Sequence, residues 1–164
     1  MEARDLSRER SQPFQISLRI RHPSIDPGII SRELRLEPEY SFKAGEPRES
    51  GSGMAATSLH SESYWLGSLG AISSSLSGFS GTRANVARER TGIIESLTLA
   101  LDALVVGFMR THSEFIRRMQ SEEGQVSLLV ELSTRALSGF ALSPQFSRTI
   151  SDLGVAVEFD FVMS

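Results

Sequence analysis

No cysteine occurs in this chain of 164 residues, which excludes disulfides, thiolate metal sites and a cysteine nucleophile. Lysine is almost absent: Lys43 stands alone against sixteen arginines. Those arginines are scattered and the net charge is −3, so the clustered positive footprint of a nucleic-acid-binding protein is missing. No long apolar run exists either. The most apolar stretch, Leu99–Met109, is short and holds Asp102, so no membrane span is expected. The charged opening, Met1–Gln12, lacks the apolar stretch of a secretory leader, and a cytoplasmic protein is expected.

Histidine is nearly as scarce. His22, His60 and His112 share no metal-binding spacing, and no metal site or cofactor is expected. His22 precedes a proline at a strand end, and His112 falls on a first helical turn; both positions are expected to face solvent.

What is present has clear periodicity. Residues 1–12 mix charges with almost nothing apolar, and a disordered arm is expected there ahead of one α+β domain over 13–164. In "FQISLRIR", Phe14, Ile16, Leu18 and Ile20 alternate with Gln15, Ser17, Arg19 and Arg21, the period-two pattern of a strand with one buried face. "QVSLLVEL" and "VAVEFDFV" repeat it, with Val126, Leu128, Val130 and Leu132 in one and Val155, Val157, Phe159 and Phe161 in the other. "SESYWLGS" reads as a further short extended run.

Helices are marked by their starts. Asp26 followed by Pro27, and Ser143 followed by Pro144, each place a capping side chain ahead of a proline at the first helical position. Ile93, Leu97, Leu101, Leu104 and Phe108 form the stripe of a longer helix. Thr111 with Glu114 reads as a capping box, predicting a break near 110 and a new helix over Ser113–Met119, closed by Gly124. Strands that alternate cleanly are covered on one face only. The fold class predicted is therefore α+β, with a mixed or antiparallel sheet and helices packed on one face.

Catalytic and nucleotide motifs fail on spacing. In "SFKAGEPRESGSG" Lys43 precedes the glycines, the reverse of a phosphate-binding loop. Gly78-Phe79-Ser80-Gly81 misses the nucleophile elbow by one residue. Glu158 and Asp160 share a strand face, as do Arg19 and Arg21. Cross-strand ion pairing on a solvated sheet face accounts for them, and carboxylates beside arginines stay ionised rather than separating into an acid and a base. The sharper reading is that this charged face, with Arg19 and Arg21, docks a partner. Trp65 is a core residue or an interface anchor, and Tyr64 beside it faces the other side of the strand.

Several pieces together resemble a known family: "FQISLRI", "IDPGIISRELRLEPEYSFKAGEP", "SYWLGS", "GQVSLLVEL" and "FALSPQFSRTISDLGVAVEFDFV". Over about residues 14–162 the chain resembles the bacterial domain of unknown function 4279. Leu36-Glu37-Pro38, Phe42, Lys43, Gly45, Glu46 and Trp65 fall on that family's recurring pattern, although Trp often stands where this chain has Phe42. The resemblance implies a fold and no established activity.

Two function classes follow. One is a non-catalytic, immunity-protein-like module with a protein partner. The other is a small-ligand or enzymatic domain with a site near Lys43, Glu46 and Trp65. A homodimer through the Ser/Gly-rich stretch 67–82 is a further arrangement. Neither nucleic acid nor membrane is expected as a partner.

Overall fold

The computed structural model describes residues 14–48, 58–70, 97–133 and 141–162. Five strands form one sheet: β1 (Phe14–His22), β2 (Tyr40–Phe42), β3 (Ser63–Ser68), β4 (Gln125–Ser133) and β5 (Ala156–Val162), in the order β2-β3-β1-β4-β5. β1 lies at the centre, antiparallel to β3 and β4, and β2 is antiparallel to β3. Only β5 runs parallel to its neighbour, β4. A parallel neighbour needs a crossover, and the helix over 144–152 lies in that connection. The mixed α+β architecture expected from the alternating strands is therefore the one observed.

Register decides which side chains share a face. Ile16, Leu18 and Ile20 pair with Val130, Leu128 and Val126, and Trp65 sits opposite Ile20. All are buried, and they form the inner face. Helices cover this face. In α1 (Pro27–Leu34) Asp26 accepts the Gly28 amide, Ile30 and Leu34 are buried one turn apart, and Arg35 ends the helix in the left-handed region at φ 53°. A second helix, α2, is described over 97–111 and buries Leu97, Leu101, Leu104 and Phe108 of the predicted stripe, whose first member, Ile93, lies outside the described residues. Its segment Leu104–Met109 is wound as a π-helix, a looser winding that the sequence pattern does not announce.

α3 (Ser113–Ser121) follows after a single intervening residue and buries Phe115, Ile116 and Met119. The break is close to where it was predicted, but the capping box is not its cause. The Thr111 hydroxyl donates backwards to the Gly107 carbonyl, and His112 stands at the N-cap without a side-chain cap bond. The threonine proton goes to the preceding turn, and no side chain at the N-cap bonds the first amides of α3, so the capping box is not formed. The stop is a paired closure: Gly124 N–H donates to Met119 O at 2.8 Å and Glu123 N–H to Gln120 O at 3.2 Å. Glu123, not Gly124, takes the left-handed conformation, at φ 63°.

α4 (Pro144–Asp152) starts as predicted. The Ser143 hydroxyl accepts the Phe146 amide at 3.0 Å and also donates to the Asp102 carboxylate, tying α4 to α2. Phe146 and Ile150 complete the core, and Gly154 closes the helix at φ 63°. Expectations for residues 1–12, for the Ser/Gly-rich stretch beyond Gly70 and for "GFSGT" lie outside the described residues. Among the described residues no helix is long and apolar enough to cross a membrane.

Candidate functional site

The residues singled out from the sequence separate onto the two sides of the sheet. Lys43, Glu46 and Trp65 belong to the side that carries α1. Residues Lys43–Glu46 form a tight turn in which Glu46 N–H donates to Lys43 O at 3.1 Å. Gly45 takes φ 84° at its third position, a conformation that favours glycine. The Glu46 carboxylate accepts the Lys43 amide at 2.8 Å, and the Lys43 ammonium reaches Asp26, the α1 cap, at 3.1 Å. Lys43 thus makes its ion pair with Asp26, while Glu46 holds the turn through the backbone. Trp65 is completely buried, and its indole N–H donates to the Ser31 hydroxyl in α1 at 3.0 Å. Each of these three side chains therefore has a partner within the fold.

His22 also turns inward. It is only 5% exposed, contrary to the solvent-facing position expected. Its Nδ1 accepts two backbone amides, Ser24 at 3.1 Å and Ile25 at 3.0 Å, which leaves the ring proton on Nε2. That Nε2 faces the Glu122 carboxylate at 3.3 Å, off the line of a good hydrogen bond. The strand end before Pro23 is thus pinned by an imidazole used as a double acceptor. His112 is half-buried against Phe108, with ring centroids 4.6 Å apart. Burial lowers its pKa from the ordinary 6.5, Arg35 lowers it further, and Glu33 opposes both.

Arg19 and Arg21 lie on the opposite, outer face. Arg19 reaches over β4, where the small Ser127 accepts its Nε at 3.1 Å, and pairs with Glu158 on β5. The ion pairing predicted for this face is therefore present, but it spans an intervening strand. Arg21 instead pairs with Glu62, just ahead of β3, with Nε at 2.9 Å. Beside these groups the surface dips into an open depression of about 370 Å³, bordered by Arg19, Arg21, Gln120, Gln125 and Glu158. A second depression of about 240 Å³ adjoins it beyond Arg21 and Gln125.

The rest of the outer face is aromatic. Phe42 stacks on His60 at 3.6 Å and on Tyr64 at 5.3 Å, with interplanar angles of 20° and 12°. Tyr40 meets Phe42 and Tyr64 edge-on, at 5.7 and 5.9 Å, and is itself 58% exposed. Sequence reading missed this group. Tyr64 was placed opposite Trp65, but Tyr40 and Phe42 lie on a three-residue strand too short to show alternation. His60 joins them through a hairpin, with Gly45 N–H donating to His60 O and His60 N–H to Glu46 O. The Tyr64 phenol sits among the charges: burial raises its pKa above the ordinary 10.0, while Arg19 and Arg21 pull it down and Glu158 and Tyr40 push it up.

The outer face therefore offers, side by side, an aromatic platform, two engaged guanidiniums and an open depression. Among the described residues, no cluster of three or more His, Asp or Glu is placed to hold a metal ion. No protein-family model matches the chain, and neither a curated protein nor a solved structure does.

Proposed function

We propose that this chain is a bacterial, cytoplasmic binding module of the immunity-protein kind, which docks a partner protein on the outer face of its sheet. One observation carries the reading: Tyr40, Phe42 and Tyr64 form a ring cluster on a sheet face that no described helix covers, and Tyr40 is 58% exposed there. Solvated sheet faces are usually polar, and aromatic side chains are enriched at interface centres. The neighbouring arginines support the same reading. Arg19 and Arg21 are already paired with Glu158 and Glu62, so a partner can cover them without stranding an unpaired charge. The resemblance to the bacterial domain of unknown function 4279 belongs with this proposal. The strand that leads into its Lys-x-Gly-Glu turn, Tyr40–Phe42, is paired with the Trp-bearing strand.

The test is affinity capture from the host's own extract with three baits: the natural chain, Tyr40→Asp and Lys43→Ala. The expected result is a protein partner retained by the natural chain and by Lys43→Ala and lost with Tyr40→Asp. Recovery that does not change with Tyr40→Asp, or no partner on any bait, counts against the proposal.

A further inference from the structure

The outer face has two ends of different chemistry. At the β2 end lie the exposed ring of Tyr40 and, beside it, the half-buried ring of Tyr64. At the β5 end, Glu131 and Asp160 stand directly opposite each other in the β4–β5 pairing and on the same face. Adjacent strands are only about 4.8 Å apart, so two carboxylates there repel one another. Neither has its counterion from the central arginines, because Arg19 goes to Glu158 and Arg21 to Glu62. Among the described residues of this face the carboxylates Glu62, Glu131, Glu158 and Asp160 outnumber the guanidiniums Arg19 and Arg21, and the chain as a whole carries −3.

We infer that the outer face receives a basic protein segment, with one arginine or lysine set against Glu131 and Asp160 and another over the ring of Tyr40. This rests on the docking reading above and adds the chemistry of the partner. A cation relieves the carboxylate pair at one end. At the other, the ring faces of Tyr40 and Tyr64 attract a guanidinium or ammonium. The central ion pairs stay as they are and need no rearrangement. β2 and β5 are four strand spacings apart, and Asp160 also lies four residues further along the sheet than the position level with Tyr40, so the two contacts are about 23 Å apart, which an extended segment of about seven residues crosses. The negative charge of the chain also draws such a segment in from solution, an attraction that salt weakens.

The test uses the full chain, nitrogen-15 labelled, titrated with two synthetic peptides long enough to cross the face: alternating Arg-Thr and its alternating Glu-Thr counterpart. The Arg-Thr peptide is expected to shift the amides of Tyr40, Tyr64, Glu131 and Asp160 in one saturable transition, while Glu-Thr does not. Glu131→Gln combined with Asp160→Asn is expected to weaken that binding roughly tenfold, with the spectrum elsewhere unchanged as the check on folding. Preference for the Glu-Thr peptide at the same amides overturns the basic partner and leaves the docking face standing. Shifts of these amides with protein concentration alone overturn it in favour of a second copy of the chain. No shift with either peptide overturns it too, while the docking reading is then judged separately by capture on Tyr40→Asp.

Discussion

The Lys43 ammonium lies 3.1 Å from the Asp26 carboxylate that caps α1. This one contact joins the turn after β2 to the start of the helix packed behind it. The Gly28 amide first, and then Lys43, hold the Asp26 carboxyl below the ordinary 3.8. A carboxyl depressed on folding contributes stability that is present above 3.8 and is lost as pH falls through the lower, folded value. Asp26→Ala is therefore expected to melt below the natural chain at pH 7 and to melt with it well below pH 3.8. A difference that persists in acid would show that the cap contributes through something other than its charge.

Gly45 is the second support of that turn. Its φ of 84° is favourable only to glycine, yet nothing lies within 4 Å of where a Cβ would be. Gly45→Ala thus meets no clash and pays only backbone strain, about 1–2 kcal/mol. Urea denaturation is expected to give a lower midpoint with an unchanged slope. Lys43→Ala with Glu46→Ala is expected to lower the midpoint as well without altering partner capture, since both side chains serve the turn.

Trp65 lies over Gly67, two residues on along the same face of β3. A Cβ on Gly67 would come within 2.3 Å of the indole, which is itself completely buried. Gly67→Ala must therefore displace the tryptophan from its Ser31 hydrogen bond, an overpacking cost of about 1–3 kcal/mol. The loss is expected as a lower denaturation midpoint together with a shifted tryptophan emission. Emission unchanged from the natural chain would mean that the strand moves instead of the ring.

Sequence periodicity carried most of this fold, and its failures have physical causes. β1 and β4 were legible because each runs long enough for alternation to emerge. Asp26 and Ser143 were legible as caps because each is followed by proline, and both make the bond expected. β2 was not: three residues between a helix and a hairpin carry no period. Thr111 misled because a threonine bonds backwards to a carbonyl as readily as forwards to an amide. His22 misled because burial of a polar side chain depends on what the next turn offers it. The site divided for a similar reason. Arg19 and Arg21 were placed correctly on the solvent side of β1, but neighbours brought by pairing, Tyr40 and Phe42 on β2, supply the aromatic half of that face.

His22 gives a sharper test of that turn. Its Nδ1 is the acceptor for the amides of both Ser24 and Ile25. His22→Phe keeps the ring and removes the acceptor, leaving two partly buried amides unmatched at roughly 1–3 kcal/mol. His22→Asn can present a carbonyl oxygen near the same place and is expected to recover part of that loss. If both variants unfold at the same urea concentration, the hydrogen bonds are not what holds the turn.

Tyr64 reports on the outer face directly. Burial holds its phenol above the ordinary 10.0, with Arg19 and Arg21 opposing and Glu158 and Tyr40 assisting. An acid whose pKa is raised on folding gives stability that is whole below 10.0 and is lost as pH climbs from there towards the folded value, because the unfolded chain gives up its proton first. Ultraviolet titration of the two tyrosines is expected to show a late phase that Tyr64→Phe removes. A partner seated on the face excludes more water from the phenol, and a basic one adds a cation that favours the phenolate. The direction in which the late phase moves on binding therefore weighs desolvation against charge: upward if exclusion of water dominates, downward if a guanidinium comes to rest beside Tyr64. A late phase that survives Tyr64→Phe would place the perturbed phenol at Tyr40 and remove this probe of the face.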